Sequence, residues 1–307
     1  MVRVAAVDCG TNSVRLLIAD LPDGGQERLT ELVRRMEIAR LGEGVDRTGR
    51  LSPAAIERTR LVLAGYAAEI HRLGATRVRL VATSATRDAA NAEQFAGMAW
   101  DTLGTAPEVL SGDQEAKLSY AGAVRGLPPS ARPPFLVVDI GGGSTELVAG
   151  RAAVERAVSV DIGCVRMTER HLSSDPPEPE QVAAAEADIT AAVDRALAAV
   201  GPSHPATLIG LAGSVTTVAG IALGLAAYQP DRIHHSWISS EQVAKVAADL
   251  LGMPRSGRLA LPVLHPGRAD VIAAGALILR VVMARAGAGR VLVSEHDILD
   301  GIAWSLA

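Results

Sequence analysis

One stretch, residues 135–149, constrains the fold of this chain more than any other. It reads as a buried strand ending in Asp139, a turn of three glycines (141–143) and a second strand from Thr145. Glycines carry no Cβ, so successive backbone N–H groups are open to another molecule. A loop of this kind suits a tetrahedral anion, and the sequence therefore predicts a phosphate-binding hairpin here.

Two better-known glycine loops do not fit this stretch. A P-loop ends in Gly-Lys-Ser or Gly-Lys-Thr, and a dinucleotide-binding loop opens a helix. Residues 145–149 instead read Thr-Glu-Leu-Val-Ala, which has strand character. The glycines are thus predicted to form the tip of a β-hairpin, although a glycine-rich tip taken alone is more often a plain turn.

The N-terminus repeats the pattern. Residues 7–17 and 138–148 share residue types at several positions in one frame, at an offset of 131 positions. A frame that recurs over such a distance indicates two related halves, each presenting an acid-tipped hairpin to one cleft. The shared pairs include Asp8 and Asp139, Gly10 and Gly141, Ser13 and Ser144, and Leu16 and Leu147.

The length and net charge of the chain limit the kinds of protein that it can be. With 307 residues, of which 49% are hydrophobic, the chain is long enough to bury two separate cores. The formal net charge is −4, and no run of basic residues stands out. This balance argues against a nucleic-acid surface, so an anionic ligand has to be held by local arginines and backbone amides.

The cellular compartment is predicted from cysteine usage and from the N-terminus. Cys9 and Cys164 are too few for a disulfide framework, which favours a reducing environment. The N-terminus enters a strand without a signal-peptide pattern, and no segment is long and apolar enough to span a bilayer. These features predict a cytoplasmic protein without a membrane partner.

Hydrophobic periodicity and turn residues predict an α/β protein with a mixed sheet in each half. A linker is placed at 127–134, which holds four prolines. The predicted domains are 1–126, completed by a C-terminal helix at 296–307, and 127–295. The predicted strands are 2–6, 14–19, 28–39, 78–82, a short one ending at 110, then 135–139, 145–149, 153–160, 207–211 and 290–294.

The predicted helices alternate with the later strands of each half. Ser52 followed by Pro53 is a typical helix start, and Ser111 with Gln114 forms a capping box for another. The strand at 207–211 leads directly through Gly213 and Ser214 into a helix, which offers a second place for an anion. The predicted helices are 53–73, 91–103, one from 111, 181–200, one from 212, 239–251, 269–286 and a closing one.

Taken together, six stretches resemble the exopolyphosphatase/guanosine pentaphosphate phosphohydrolase family, within the sugar kinase, heat-shock protein 70 and actin superfamily. They stand in the family's order and cover nearly the whole chain. The resemblance implies the short form of the family, with two ribonuclease-H-like domains facing a central cleft. The stretches are Asp-Cys-Gly-Thr-Asn-Ser-Val-Arg (8–15), Thr-Ser-Ala-Thr-Arg-Asp-Ala-Ala-Asn (83–91), Leu-Ser-Gly-Asp-Gln-Glu-Ala-Lys-Leu (110–118), Asp-Ile-Gly-Gly-Gly-Ser-Thr-Glu (139–146), Gly-Leu-Ala-Gly-Ser (210–214) and Arg-Ala-Asp-Val-Ile (268–272).

Two positions depart from the family's pattern. Gln114 stands where the family often has a second acid before its catalytic glutamate. Asp300 stands where the last helix usually carries an arginine.

The resemblance also assigns roles to individual residues. Glu115 corresponds to the catalytic glutamate that directs water at the terminal phosphorus, and Arg87 is the strongest charged partner for phosphate. From residues alone, a glutamate near a helix start is more often an ordinary surface residue. The predicted phosphate-binding residues are Asn12, Ser13, Arg15, Gly141, Gly142, Gly143, Ser144, Gly213 and Ser214.

Three carboxylates are predicted to hold a divalent cation. Asp139 and Glu146 lie on the two arms of the second hairpin, and Asp8 faces them from the first. Oxygen ligands of this kind suit Mg²⁺, with Mn²⁺ as the alternative. On residues alone, an acid beside a glycine turn serves equally well to stabilise its own loop.

The activity implied by the resemblance is Mg²⁺-dependent removal of the terminal phosphate from inorganic polyphosphate. The alternatives are removal of the 5′ terminal phosphate of guanosine pentaphosphate, and non-catalytic sensing of polyphosphate or of the alarmones pppGpp and ppGpp. A kinase of the same superfamily is a further option, and the family implies a homodimer. A weaker expectation is a track of arginines for a longer anion, formed by Arg166, Arg255, Arg258 and Arg268.

Overall fold

A computed structural model describes residues 2–22, 29–201 and 205–307 of the chain. The chain divides into two units, each with its own sheet and core. Unit 1 comprises residues 1–126 and 297–307, and unit 2 comprises residues 127–296.

Within the described ranges, unit 1 contains a five-stranded sheet in the order β3-β2-β1-β4-β5. β1, β2 and β3 are antiparallel neighbours, and β4 and β5 add in parallel to β1. The strands are β1 (Val2–Cys9), β2 (Val14–Leu21), β3 (Thr30–Glu37), β4 (Arg77–Ala82) and β5 (Glu108–Val109). The helices are α1 (Val45–Thr48), α2 (Pro53–Leu73), α3 (Ser84–Asp88), α4 (Ala92–Leu103) and α5 (Gly112–Ala123).

Unit 2 contains a sheet of order β10-β11-β9-β6-β7-β8 over the part of the chain that is described. Its strands are β6 (Phe135–Ile140), β7 (Thr145–Gly150), β8 (Val154–Val160), β9 (Thr207–Leu211), β10 (Trp237–Ser239) and β11 (Arg290–Val293). Its helices are α6 (Cys164–His171), α7 (Pro179–Val200), α8 (Ala212–Ala222), α9 (Pro230–Ile233), α10 (Ser240–Gly252), α11 (Arg255–Leu259) and α12 (Ile272–Arg285). The chain then returns to unit 1 with α13 (Ile298–Trp304).

The two sheets repeat one topology. The order β8-β7-β6-β9-β11 has the same sequence of antiparallel and parallel pairings as β3-β2-β1-β4-β5, and β10 is an addition at the edge. The repeat extends to the register, because Asp8 pairs with Arg15 and Asp139 pairs with Glu146. The predicted α/β class with a mixed sheet in each half is confirmed.

The sheet of unit 1 is covered on both faces, since alternate side chains of a strand point to opposite sides. Leu63 of α2 and Phe95 of α4 pack on one face, where Val7 and Leu16 are buried. Ile298 and Ile302 of α13 pack on the other face. In unit 2, α12 is apolar almost all round, as expected of a helix at the centre of a core.

The C-terminal helix lies in direct contact with α5. A Cβ on Gly301 would lie 2.0 Å from the carbonyl oxygen of Leu118, so the two helix backbones touch. Asp300 takes part in the capping box of α13 and accepts two hydrogen bonds from the Arg34 guanidinium. The residues that follow unit 2 therefore complete the fold of unit 1.

Several elements differ from the sequence expectations. Residues 42–51, where no helix or strand is predicted, contain α1, and the helix predicted from 269 begins at Ile272 after a 3₁₀ turn. The helices α3, α6, α9 and α11 were not predicted, because four to eight residues are too few for a periodic pattern to show. The predicted start of the third strand at Arg28 lies outside the described residues.

No helix in the described part of the chain combines the length and apolar character needed to cross a membrane.

Both cysteines are buried, and burial raises the pKa of each thiol. Since the thiolate is the reactive form, neither residue should react with a disulfide reagent at about pH 8 while the protein is folded. We expect mass spectrometry to find no labelled Cys9 or Cys164 in the native protein and both labelled in guanidinium. Rapid labelling of the native protein would contradict the burial of these side chains.

Candidate functional site

The glycine loop of unit 2 joins β6 to β7 and is fastened to the start of α6. The Gly141 N–H closes the turn by donating to the Ser144 carbonyl at 3.0 Å. The carbonyls of Gly141 and Gly142 accept from the N–H groups of Cys164 and Val165 at 3.0 and 2.9 Å. The next carbonyl, that of Gly143, accepts from Arg166 Nε at 2.7 Å. Three successive carbonyls of the loop thus bind the first turn of α6.

This attachment fixes the direction of three amides. In a planar trans peptide the C=O and the following N–H point in opposite directions. Because the carbonyls of residues 141–143 point to α6, the N–H groups of Gly142, Gly143 and Ser144 point away from it. These three N–H groups donate no hydrogen bond within the described ranges. Successive backbone N–H groups directed to one side of a loop are donors of the kind that binds anions.

Gly163 permits the close contact between the loop and α6. A Cβ at this position would lie 2.3 Å from the Gly142 carbonyl oxygen, which is closer than any side chain can approach. A residue other than glycine would therefore push α6 away from the loop.

Asp139 and Glu146 lie opposite each other at the base of the same loop. They are cross-strand partners of β6 and β7, so their side chains emerge on the same face of the sheet. Both are buried, and Glu146 Oε1 accepts a hydrogen bond from Ser159 Oγ at 2.7 Å. Two buried carboxylates at facing positions repel each other unless a cation or a proton separates them. The donor set fits a hard divalent cation.

The first hairpin has the same turn. Gly10 N–H donates to the Ser13 carbonyl at 3.0 Å. The carbonyls of Thr11 and Asn12 accept from the N–H groups of Gly42 and Arg40 at 2.8 and 2.9 Å. By the same trans-peptide geometry, the N–H groups of Asn12 and Ser13 point away from the segment that holds the loop.

The carboxylate of the first hairpin has a different partner. Arg15 occupies the position equivalent to Glu146, and its Nε and Nη2 donate to Asp8 Oδ2 at 3.0 and 2.7 Å. Arg15 Nη1 donates to Asp297, which begins α13. Burial raises the pKa of the Asp8 carboxyl, and the adjacent guanidinium opposes that rise. The first hairpin therefore pairs an acid with a base where the second pairs two acids.

Two predictions concern this ion pair. The sequence predicts Asp8 as a metal ligand and Arg15 as a phosphate-binding residue. In the structure these two side chains form an ion pair with each other. Asp8 Oδ1 is buried and accepts no hydrogen bond from any described residue. Among the residues that the structure describes, no group of three or more His, Cys, Asp or Glu side chains is arranged to hold a metal ion. The role of Asp8 in metal binding stays a prediction.

Glu115 and Arg87, the two predicted catalytic residues, are in contact. Arg87 Nη1 donates to Glu115 Oε2 at 3.1 Å and to the Leu110 carbonyl at 2.9 Å. Glu115 lies in the first turn of α5, where Ser111 and Gln114 form a reciprocal capping box. The cap explains the role of Gln114, whose side chain accepts from the Ser111 N–H at 2.9 Å. Arg87 thus holds the Glu115 carboxylate as an ion pair in unit 1.

The first turn of α8, predicted as a second place for an anion, is enclosed by other parts of unit 2. Ala212 adopts a left-handed backbone with φ of 66°, which is unusual for a residue with a side chain. Arg268 covers the turn, and its Nη1 donates to the Gly213 carbonyl at 2.8 Å. The Ser214 hydroxyl lies against Gly275, where a Cβ would be 2.3 Å from Oγ. The Ser214 side chain therefore faces the interior of unit 2.

Two of the arginines considered for an anion track have specific partners in unit 2. Arg258 is buried and bonds to backbone carbonyls and to Asp175. Arg255 is paired with Asp270. No pattern along the chain indicates these partners, because they lie in other turns and loops.

Comparison with known proteins identifies the family. The family model described as the Ppx/GppA phosphatase family matches residues 17–306. The chain belongs to the Ppx/GppA phosphatase family. Exopolyphosphatase 2 of Mycobacterium tuberculosis is 48% identical over the whole of this chain and 99% of its own length. The family predicted from the motifs is confirmed.

Solved structures of Ppx/GppA proteins have the same fold over the full chain. A crystal structure of an exopolyphosphatase-like protein superposes with a TM-score of 0.94 at 39% identity, covering 99% of this chain and 98% of the other. The Aquifex aeolicus member of the family superposes with a TM-score of 0.81 at 32% identity, with the same coverage of both chains. The order of strands and the two glycine hairpins therefore lie in a known Ppx/GppA framework.

Proposed function

We propose that this protein is an exopolyphosphatase, which hydrolyses the terminal phosphoanhydride of inorganic polyphosphate and releases orthophosphate. The observation that carries the proposal is the set of three amides at residues 142–144, which all point to one side of a loop that ends beside Asp139 and Glu146. Non-bridging phosphate oxygens are acceptors, and such amides are suited to bind them. The similarity to the mycobacterial exopolyphosphatase supports the choice of substrate.

Each group has a separate role in the proposed reaction. The loop amides bind the oxygens of the phosphate that is transferred to water. Glu115, held by Arg87, orients the attacking water. Asp139 and Glu146 would hold Mg²⁺, or Mn²⁺ in its place, and the cation would offset negative charge on the phosphoanhydride.

A substrate panel tests the proposal. We expect phosphate release from polyphosphates of several lengths with Mg²⁺ present to exceed release from guanosine pentaphosphate. Release from the nucleotide alone would replace the proposal with the sister activity, because both substrates present a terminal phosphoanhydride. Tight binding of polyphosphate or ppGpp without any release would indicate a sensor, and an ATP-dependent product would indicate a kinase.

The cation assignment is tested separately with Asp139→Asn. Replacing one of two facing carboxylates with an amide should raise the Mg²⁺ concentration needed for half-maximal activity at least about tenfold, since the cation loses a negatively charged ligand while the side chain keeps its size. The matched control is Glu155→Gln, because Glu155 is an exposed acid on β8 of the same sheet. An unchanged Mg²⁺ titration of Asp139→Asn would contradict the assignment.

A further inference from the structure

Arg166 attaches the glycine loop to α6 through its side chain. The Gly141 and Gly142 carbonyls are held by backbone N–H groups of α6, which a residue of almost any type would supply. The Gly143 carbonyl is held by Arg166 Nε at 2.7 Å. The orientation of the peptide between Gly143 and Ser144 therefore depends on the identity of residue 166.

The consequence concerns the Ser144 amide. When the Gly143 carbonyl points to Arg166, the Ser144 N–H points in the opposite direction, together with the two amides before it. No other hydrogen bond of the described residues holds this peptide, so without the Arg166 contact the direction of the third donor is no longer fixed. A donor that is already oriented costs no reorganisation when charge develops on the substrate.

We propose that Arg166 is a positioning residue, which acts through the Gly143 carbonyl to aim the Ser144 N–H at the phosphate. This inference rests on the proposed phosphatase function. It differs from the expectation that Arg166 lines a track and contacts the anion directly, because it requires the Nε–H donor and not the positive charge.

Side-chain replacements separate these two roles. Gln carries an N–H donor the same number of bonds from Cα as Arg Nε, without a charge. Met has a similar length and places a methyl group there. Lys keeps the charge but places a methylene group at the donor position. A positioning role predicts that Gln retains function, whereas direct binding of the anion predicts that Gln fails as Met does.

The experiment measures kcat/KM for phosphate release from polyphosphate, together with the melting temperature. We expect Arg166→Met to lower kcat/KM about ten- to hundredfold, as for a buried carbonyl left without its donor, and Arg166→Gln to remain within about threefold of wild type. The matched control is Arg170→Met. Arg170 lies one turn further along α6 and pairs with Asp188 at the surface, so its loss should change neither quantity.

Two outcomes would overturn the proposal. Equal losses in the Gln and Met variants would show that the charge acts on the substrate, and full activity in both would show that the contact is dispensable. If the Met variant fails to fold, the comparison of Gln with Lys decides, since positioning requires Gln to exceed Lys and direct anion binding requires the reverse. An inactive wild type would instead reject the proposed function itself.

Discussion

Replacing Glu115 with Gln is expected to reduce phosphate release about 10²- to 10⁴-fold, the range for loss of a group that activates water. The amide has the same size and can still accept from Arg87 Nη1, which lies 3.1 Å from Glu115 Oε2. The helix cap is made by Ser111 and Gln114 and is untouched. The melting temperature should therefore stay at the wild-type value while turnover is lost.

Asp113→Asn provides the matched control for this change. Asp113 lies in the same first turn of α5 as Glu115, but it is exposed and forms an ion pair with Lys117 at 2.6 Å. Asp113→Asn removes one negative charge, as Glu115→Gln does, but it should alter turnover less than about twofold. Substantial phosphate release by Glu115→Gln, or an equal loss in both variants, would reject the catalytic role of Glu115.

Local features of the site could be predicted from the sequence. The two hairpins follow from glycine and acid positions that recur at one offset, and the register of β1 with β2 repeats in β6 with β7. The helix that carries Glu115 is marked by its capping box, which involves residues only three apart. Turn and capping signals involve residues only a few positions apart, and so they can be recognised in the sequence before the fold is known.

Contacts between distant segments could not be predicted in the same way. Arg15 and Asp297 are 282 positions apart, and no pattern along the chain joins them. The attachment of the glycine loop to α6 joins Gly143 to Arg166 across β7 and β8. The sequence hints at this contact only through Gly163, since a glycine just before a helix suggests that another backbone segment comes close to it. The glycine does not indicate which segment that is.

Arg258 shows how burial overturns an expectation based on charge. As a basic residue near other arginines it was a candidate for an anion track. In the structure its guanidinium is buried and donates to the carbonyls of Ala269 and Met253 at 2.7 Å each, and to Asp175 at 2.8 Å. It ties α11 to the turn before α12 and to the loop that precedes α7. Its role is therefore in the stability of unit 2.

We expect Arg258→Met to lower the free energy of unfolding of unit 2 by about 3–5 kcal/mol. The replacement fills similar space but leaves buried carbonyls without donors, and each such group costs about 1–3 kcal/mol. For a unit of this size the loss corresponds to a fall in melting temperature of at least about 6 °C. Thermal unfolding followed by circular dichroism measures it.

Arg255→Met, in the same short helix, distinguishes burial from charge. Arg255 is exposed and pairs with Asp270, so removing it should cost less than about 1 kcal/mol. A track for the anion would give the opposite pattern at Arg258, namely a raised KM for long polyphosphate with an unchanged melting temperature. Because a guanidinium bound to backbone carbonyls has its donors directed inward, the loss at Arg258 should appear in stability, and the KM of the folded fraction should stay at the wild-type value.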